Sequence, residues 1–172
     1  AGVLSRFPDF DGVICLPGTH TKWVRVAGGS VREFRTFMTG ELYALLSRHS
    51  ILRLGMDDGG DAAAFAGGVA DGLADPGGLS GALFGLRARD LLRSPQAGET
   101  RARLSGLLLG LELAGARSFW DKASVVVVGD ARTRDLYGCL VDLAAEVRFA
   151  DAREMTLAGL ASAHAGPTGG TA

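Results

Sequence analysis

Apolar residues along this chain change their spacing several times, and each change marks an element. Gly12–Leu16, GVICL, is a short unbroken apolar run between Asp11 and Pro17-Gly18, the pattern of a buried strand. From Lys22 to Ala27 apolar and polar residues alternate, Gly28-Gly29 marks a hairpin turn, and from Ser30 to Phe37 the alternation resumes. Those are two further strands. The period then lengthens: Leu42, Leu45, Leu46, His49 and Leu52 recur at three and four, which predicts one helical face with Thr39 as N-cap.

The middle of the chain has a different texture. It is rich in Gly and Ala, and DDGGD (57–61) and DPGG (75–78) break it into two short helices, about Ala62–Leu73 and Leu79–Leu92. A longer helix runs from about Glu99 to Arg117; its Gly106 and Gly110, four apart, predict close approach by another backbone. Val125–Val128 is a β-branched run too apolar for an edge, hence a central strand. After Gly129-Asp130 a helix carries Leu136, Leu140, Leu143 and Ala144 as its apolar stripe. VRFA (147–150) is a fifth strand, and Asp151 caps a last helix with Met155, Leu157, Leu160 and Ala161 on its apolar side. The order β-β-β-α, helical insertion at about 54–98, β-α-β-α predicts an α/β fold with a mixed five-stranded sheet, the ribonuclease H-like connectivity, over 12–164. Residues 1–11 read as a polar lead-in from a preceding lobe, with the N-terminus a cut inside a longer protein, and 165–172 as a disordered tail.

Composition narrows the class. With 47% apolar and 22% charged residues the chain is an ordinary globular one, and a net charge of −1 offers no global field for nucleic acid or anionic lipid. No apolar run approaches a membrane span and no signal peptide opens the chain, so a cytoplasmic location is expected. The two cysteines, Cys15 and Cys139, sit in apolar runs and read as buried free thiols; no Cys/His spacing suggests a metal ligand set.

Three stretches could carry chemistry. Pro17-Gly18-Thr19-His20-Thr21-Lys22 joins the first two strands: a glycine where backbone N–H groups can approach an oxyanion, two hydroxyls, an imidazole and a cation. It reads either as a phosphate-gripping hairpin or as a plain turn. Gly129-Asp130 closes a buried strand before a helix, where open α/β sheets bind ligands, yet many such turns bind nothing. Glu41 lies in the first turn of its helix, where the macrodipole alone suffices to explain a carboxylate. His49 falls on the leucine face and reads as a core histidine, and DDGGD lacks the spacing of a calcium loop.

CLPGTHTKWVRV (15–26), FRTFMTGELYALLSRHSIL (34–52) and LSGLLLGLELAGAR (104–117) together resemble the 2-dehydro-3-deoxygalactonokinase family, sugar-acid kinases of the acetate kinase, sugar kinase and actin superfamily. The match runs from about Gly12 to Ala165, and the Pro-Gly-Thr-His-x-Lys-Trp and Met-Thr-Gly-Glu-Leu blocks are its most distinctive parts. The resemblance implies a two-lobed enzyme with ATP in the cleft, phosphorylating 2-dehydro-3-deoxy-D-galactonate to the 6-phosphate with Mg²⁺. It implies that this chain is the C-terminal, nucleotide-side lobe, poorly active alone, with the sugar pocket and catalytic base built largely from the first lobe. Carried over by position, Gly18 and Thr19 grip the β- and γ-phosphates, with His20 and Lys22 as charge-stabilising neighbours. Gly129 belongs to the adenosine side. Asp130 departs from the small or hydroxylated residue usual there, and Glu41 lines the cleft without an assigned role.

Two other classes compete. The topology also suits a nuclease, with Glu41 and Asp130 as metal carboxylates, but the first strand carries no Asp, and Asp11 lies just before it. A truncated, non-catalytic binding module is the third.

Overall fold

The computed structural model describes residues 1–93 and 96–165; of the tail expected at 165–172, Ala165 is the C-cap of the last helix and the rest lies outside the described residues. In chain order the elements are α1 (Gly2–Arg6), β1 (Gly12–Leu16), β2 (Thr21–Ala27), β3 (Ser30–Phe37), α2 (Thr39–His49), a 3-10 turn Ile51–Gly55, α3 (Ala62–Ala74) and α4 (Leu79–Leu92). There follow α5 (Glu99–Gly115), α6 (Arg117–Trp120), β4 (Ser124–Gly129), α7 (Ala131–Tyr137), a 3-10 turn Gly138–Asp142, β5 (Glu146–Asp151) and α8 (Ala152–His164). The chain forms two compact units.

The first unit holds Ala1–Pro17, Thr21–Thr36 and the chain from Ser118 onward. Its sheet has the order β3-β2-β1-β4-β5. β1 pairs antiparallel with β2 (Ile14 opposite Val24) and parallel with β4 (Ile14 opposite Val126), and β4 pairs parallel with β5. This is the mixed ribonuclease H-like sheet, with β4 inside it, as its four valines demand. Gly28 and Gly29 both take positive φ, the hairpin geometry that a side chain resists. Strand alternation sorts the core: Ile14, Val26, Val126 and Val128 cluster with Val3 and Met155 on one face, while Val13, Cys15, Trp23, Val125 and Val127 are buried on the other.

The second unit holds Gly18–His20 and Phe37–Arg117. Its core gathers Leu52, Leu86, Leu104, Leu107 and Leu108. α3 and α5 cross at backbone contact: a Cβ on Gly106 would stand 2.1 Å from the Phe65 carbonyl oxygen, and one on Gly68 would stand 2.6 Å from that of Arg103. Each helical glycine costs about 1 kcal/mol against alanine, and the close crossing is what that cost allows.

Several expectations need correcting. The polar lead-in is a short helix, α1, with Val3 buried. Thr39 is the first residue of α2 rather than its cap; Met38 holds the cap position. His49 and Leu45 are exposed, so the leucine face narrows to Leu42 and Leu46 packed on the core, with Leu52 buried in the 3-10 turn. The helix after β4 stops at Tyr137, and Leu140 reaches the core from the 3-10 turn at Gly138–Asp142. In α8 Met155 is buried, but Leu157 and Leu160 are exposed. No helix among the described residues is long and apolar enough to cross a membrane.

Candidate functional site

Gly18, Thr19 and His20 are exposed at the tip between β1 and β2. Within the second unit they rest on the start of α2. The Thr19 carbonyl accepts a 3.0 Å hydrogen bond from the Glu41 N–H. The Gly18 carbonyl lies against Gly40, where a Cβ would come within 2.5 Å of that oxygen and 2.8 Å of the Thr19 Cα. His20 Nε2 meets Glu41 Oε2 at 2.5 Å. So parts of the two most distinctive sequence blocks meet: Gly18–His20 is seated on the Thr39-Gly40-Glu41 turn.

This seating orients the tip. No described peptide is cis, and in a trans peptide the N–H points opposite to the C=O. The Gly18 and Thr19 carbonyls face α2, so the N–H groups of Thr19 and His20 turn to the other side. Gly18 itself has open space: a Cβ there would meet nothing within 4 Å. The glycine that packing requires is Gly40, which sequence reasoning missed. A glycine in the first turn of a helix, where it weakens the helix, was the available signal. Next along the chain, Thr21 is buried in the first unit, its hydroxyl 3.3 Å from the Tyr137 hydroxyl, and the half-buried Lys22 follows in β2.

The second candidate lies in the first unit at the C-terminal ends of β4 and β5. Gly129, Asp130, Thr133, Arg134, Phe149 and Asp151 help to line a 240 Å³ cavity there, with the Arg134 guanidinium 5.4 Å from the Phe149 ring centroid. Gly129 leaves room for Thr133, whose side chain would lie 2.3 Å from a Cβ. Asp130 caps α7: its carboxylate accepts from the Thr133 N–H at 2.8 Å and from the Thr133 hydroxyl at 2.9 Å. The backbone bond, then the hydroxyl bond, holds its carboxyl below the ordinary aspartate range. The carboxylate thus caps its own helix while lining the cavity.

Asp11 and Asp130, two of the carboxylates weighed for a nuclease, do not converge. Asp11 accepts from the Gly28 N–H at 2.7 Å, beside the start of β1, and Asp130 follows the end of β4. Because β1 and β4 run parallel, those are opposite ends of the sheet. Among the described residues no three His, Cys, Asp or Glu side chains group as a metal site.

Comparison with known proteins agrees with the two blocks. The family model described as 2-keto-3-deoxy-galactonokinase matches residues 1–163. A protein named as a probable 2-dehydro-3-deoxygalactonokinase of Rhizobium meliloti (strain 1021) is 40% identical over 157 residues, which cover 88% of this chain and 51% of that protein. The 2-dehydro-3-deoxygalactonokinase of Escherichia coli (strain K12) is 38% identical over 121 residues, 69% of this chain and 41% of that protein. A crystal structure from Sinorhizobium meliloti, assigned to 2-dehydro-3-deoxygalactonokinase, superposes with a TM-score of 0.86 at 36% identity, over 96% of this chain and 59% of the other. The chain therefore spans about half the length of the curated relatives it matches. It belongs to the 2-keto-3-deoxy-galactonokinase family.

Proposed function

We propose that this chain is the nucleotide-side lobe of an ATP-dependent sugar-acid kinase, acting on 2-dehydro-3-deoxy-D-galactonate to give the 6-phosphate. The observation that carries the reading is the seating of Gly18–His20 on the first turn of α2, which turns the Thr19 and His20 N–H groups away from the helix. Phosphoryl transfer asks a protein mainly to position its groups and to stabilise charge, and a preoriented donor loop does both. In this reading Gly18 and Thr19 hold the β- and γ-phosphates, with the open space at Gly18 admitting them. Glu41 fixes the His20 ring from Nε2, and Lys22 adds a cation at the foot of β2.

The residues fit the magnesium nucleotide. Mg²⁺ is usually bound through substrate phosphates with few protein ligands, so a loop that holds the phosphates suffices on this side. Bound there, the ion would neutralise developing charge on the transferred group. The cavity at Gly129 suits the adenosine end: Asp130 occupies the N–H group of α7 that a phosphate would seek, and Arg134 and Phe149 offer flat surfaces for an uncharged ring. The catalytic base and most of the sugar pocket belong, in this reading, to a first lobe such as the longer relatives have room for.

The test is direct. MgATP should raise the melting temperature of the chain and perturb the amide resonances of Gly18–His20. Turnover of 2-dehydro-3-deoxygalactonate, followed by coupled ADP release, should be feeble without a first lobe. Unperturbed loop amides at saturating MgATP would refute the phosphate assignment, and brisk turnover by the chain alone would refute the lobe assignment.

A further inference from the structure

α5 is leucine-rich on every side, yet Glu112, 1% exposed, lies fully inside the second unit. A buried carboxylate is a poor source of stability, because an apolar residue of similar volume in such a place is often neutral or better. Its hydrogen bond suggests a positional role. The Thr39 hydroxyl, at the first position of α2, donates to Glu112 Oε2. Gly115, three residues on and therefore on the same face of α5, lies under the Phe37 ring, where a Cβ would come within 2.8 Å of Cε1. α5 thus grips the chain on both sides of Met38, at the entry to α2. The next two residues, Gly40 and Glu41, are those that seat the Gly18–His20 tip.

We propose that Glu112 is a positioning residue for the phosphate-gripping tip: acting through Thr39, it fixes the first turn of α2 in the place from which Gly40 and Glu41 orient Gly18–His20. The functional half rests on the phosphate reading given above. Glu112 is buried, and the contact by which it would act on the tip is the Thr39 hydroxyl at the helix start.

Amide hydrogen exchange on the whole chain tests the coupling without any ligand. Thr39→Val keeps shape and removes the hydroxyl, Thr39→Ser restores it, and Glu112→Leu removes the acceptor. The expected result is that the Glu41 amide, which is bonded to Thr19, exchanges at least tenfold faster in Thr39→Val and in Glu112→Leu. In Thr39→Ser it should stay within twofold of the parent. The Leu108 amide inside α5 serves as the reference for general loosening. Equal acceleration at Glu41 and Leu108, or none at Glu41, would overturn the coupling. MgATP titration of the same set then reads the functional half: a tenfold weaker Kd in Thr39→Val, restored in Thr39→Ser, supports it, and an unchanged Kd overturns it. A parent chain whose tip ignores MgATP would sink the phosphate reading instead, while the exchange data still decide the coupling.

Discussion

Alanine at position 40 separates two opposed expectations. Gly40 is an early residue of α2, and at an ordinary helical site Gly→Ala stabilises by about 1 kcal/mol. Here the new methyl would lie 2.5 Å from the Gly18 carbonyl oxygen, 2.8 Å from the Thr19 Cα and 3.1 Å from the Gly18 carbonyl carbon. All three are backbone atoms, so no side chain can swing aside. Overpacking of this kind costs about 1–3 kcal/mol, and displacing the tip adds the Glu41–Thr19 hydrogen bond, about 0.5–1.5 kcal/mol. Even after the helical gain, Gly40→Ala should destabilise the chain by about 2 kcal/mol. Its melting temperature should fall by several degrees, at about 2–4 °C per kcal/mol for this size. The displaced tip should also bind MgATP at least tenfold more weakly. Gly18→Ala is the control, because its Cβ enters open space. Its stability should stay within about 0.5 kcal/mol of the parent, so that any loss of MgATP affinity reports crowding of the ligand itself. Urea unfolding and isothermal calorimetry read both quantities. A Gly40→Ala chain that is more stable than the parent and binds MgATP equally well would refute the seating argument.

Gly106→Ala should destabilise by about 1–3 kcal/mol in urea unfolding, since its Cβ would meet the Phe65 carbonyl oxygen at 2.1 Å and the Val69 nitrogen at 2.9 Å. Asp130→Ala should lower the melting temperature at neutral pH, with the difference from the parent vanishing in acid. The folded carboxyl titrates below its unfolded value of about 3.9, so the cap contributes fully above that value and is lost as pH falls through the folded one. Burial pushes the Cys139 thiol up to about 11, and Cys15 is wholly buried. Ellman's reagent at pH 8 should therefore find both thiols slow in the native chain and both prompt in guanidinium.

Where pattern is local, the sequence and the structure agree. β1 and β3 occupy the predicted residues, the double-glycine hairpin turns where expected, and α4 spans Leu79–Leu92 as its flanking breaks imply. The misses are tertiary. Nothing in AGVLSRF reveals a helix, because α1 is too short for a period to show. Leu157 and Leu160 carry helical spacing, but spacing says which residues share a side and not whether anything covers it. Glu112 is the plainest case. Within the leucine-rich stretch of α5 nothing in the spacing marks a glutamate as buried, and its hydrogen bond from Thr39 is a contact across the fold. The tip was legible as residue types, and the residue that seats it, Gly40, was not, because its role is a distance to a backbone far away in sequence.

The two helix starts near the candidate residues illustrate how charge is apportioned. Both could attract a phosphate by their N–H groups and macrodipoles. In α7 the Thr133 N–H is taken by the Asp130 carboxylate, and in α2 the Glu41 N–H is taken by the Thr19 carbonyl. Each start therefore serves the protein before any ligand, but with different consequences. The carboxylate at α7 adds a negative charge and closes that end to a second anion. The carbonyl at α2 adds none, and it passes the helix's polarity on, since holding the C=O fixes the opposite direction of the His20 N–H in the same peptide plane. In the function proposed above, phosphate recognition thus falls to the tip and its flanking side chains, not to a bare helix end. That is why an alanine at Gly40, out of reach of any phosphate in this reading, is the substitution that should disarm it.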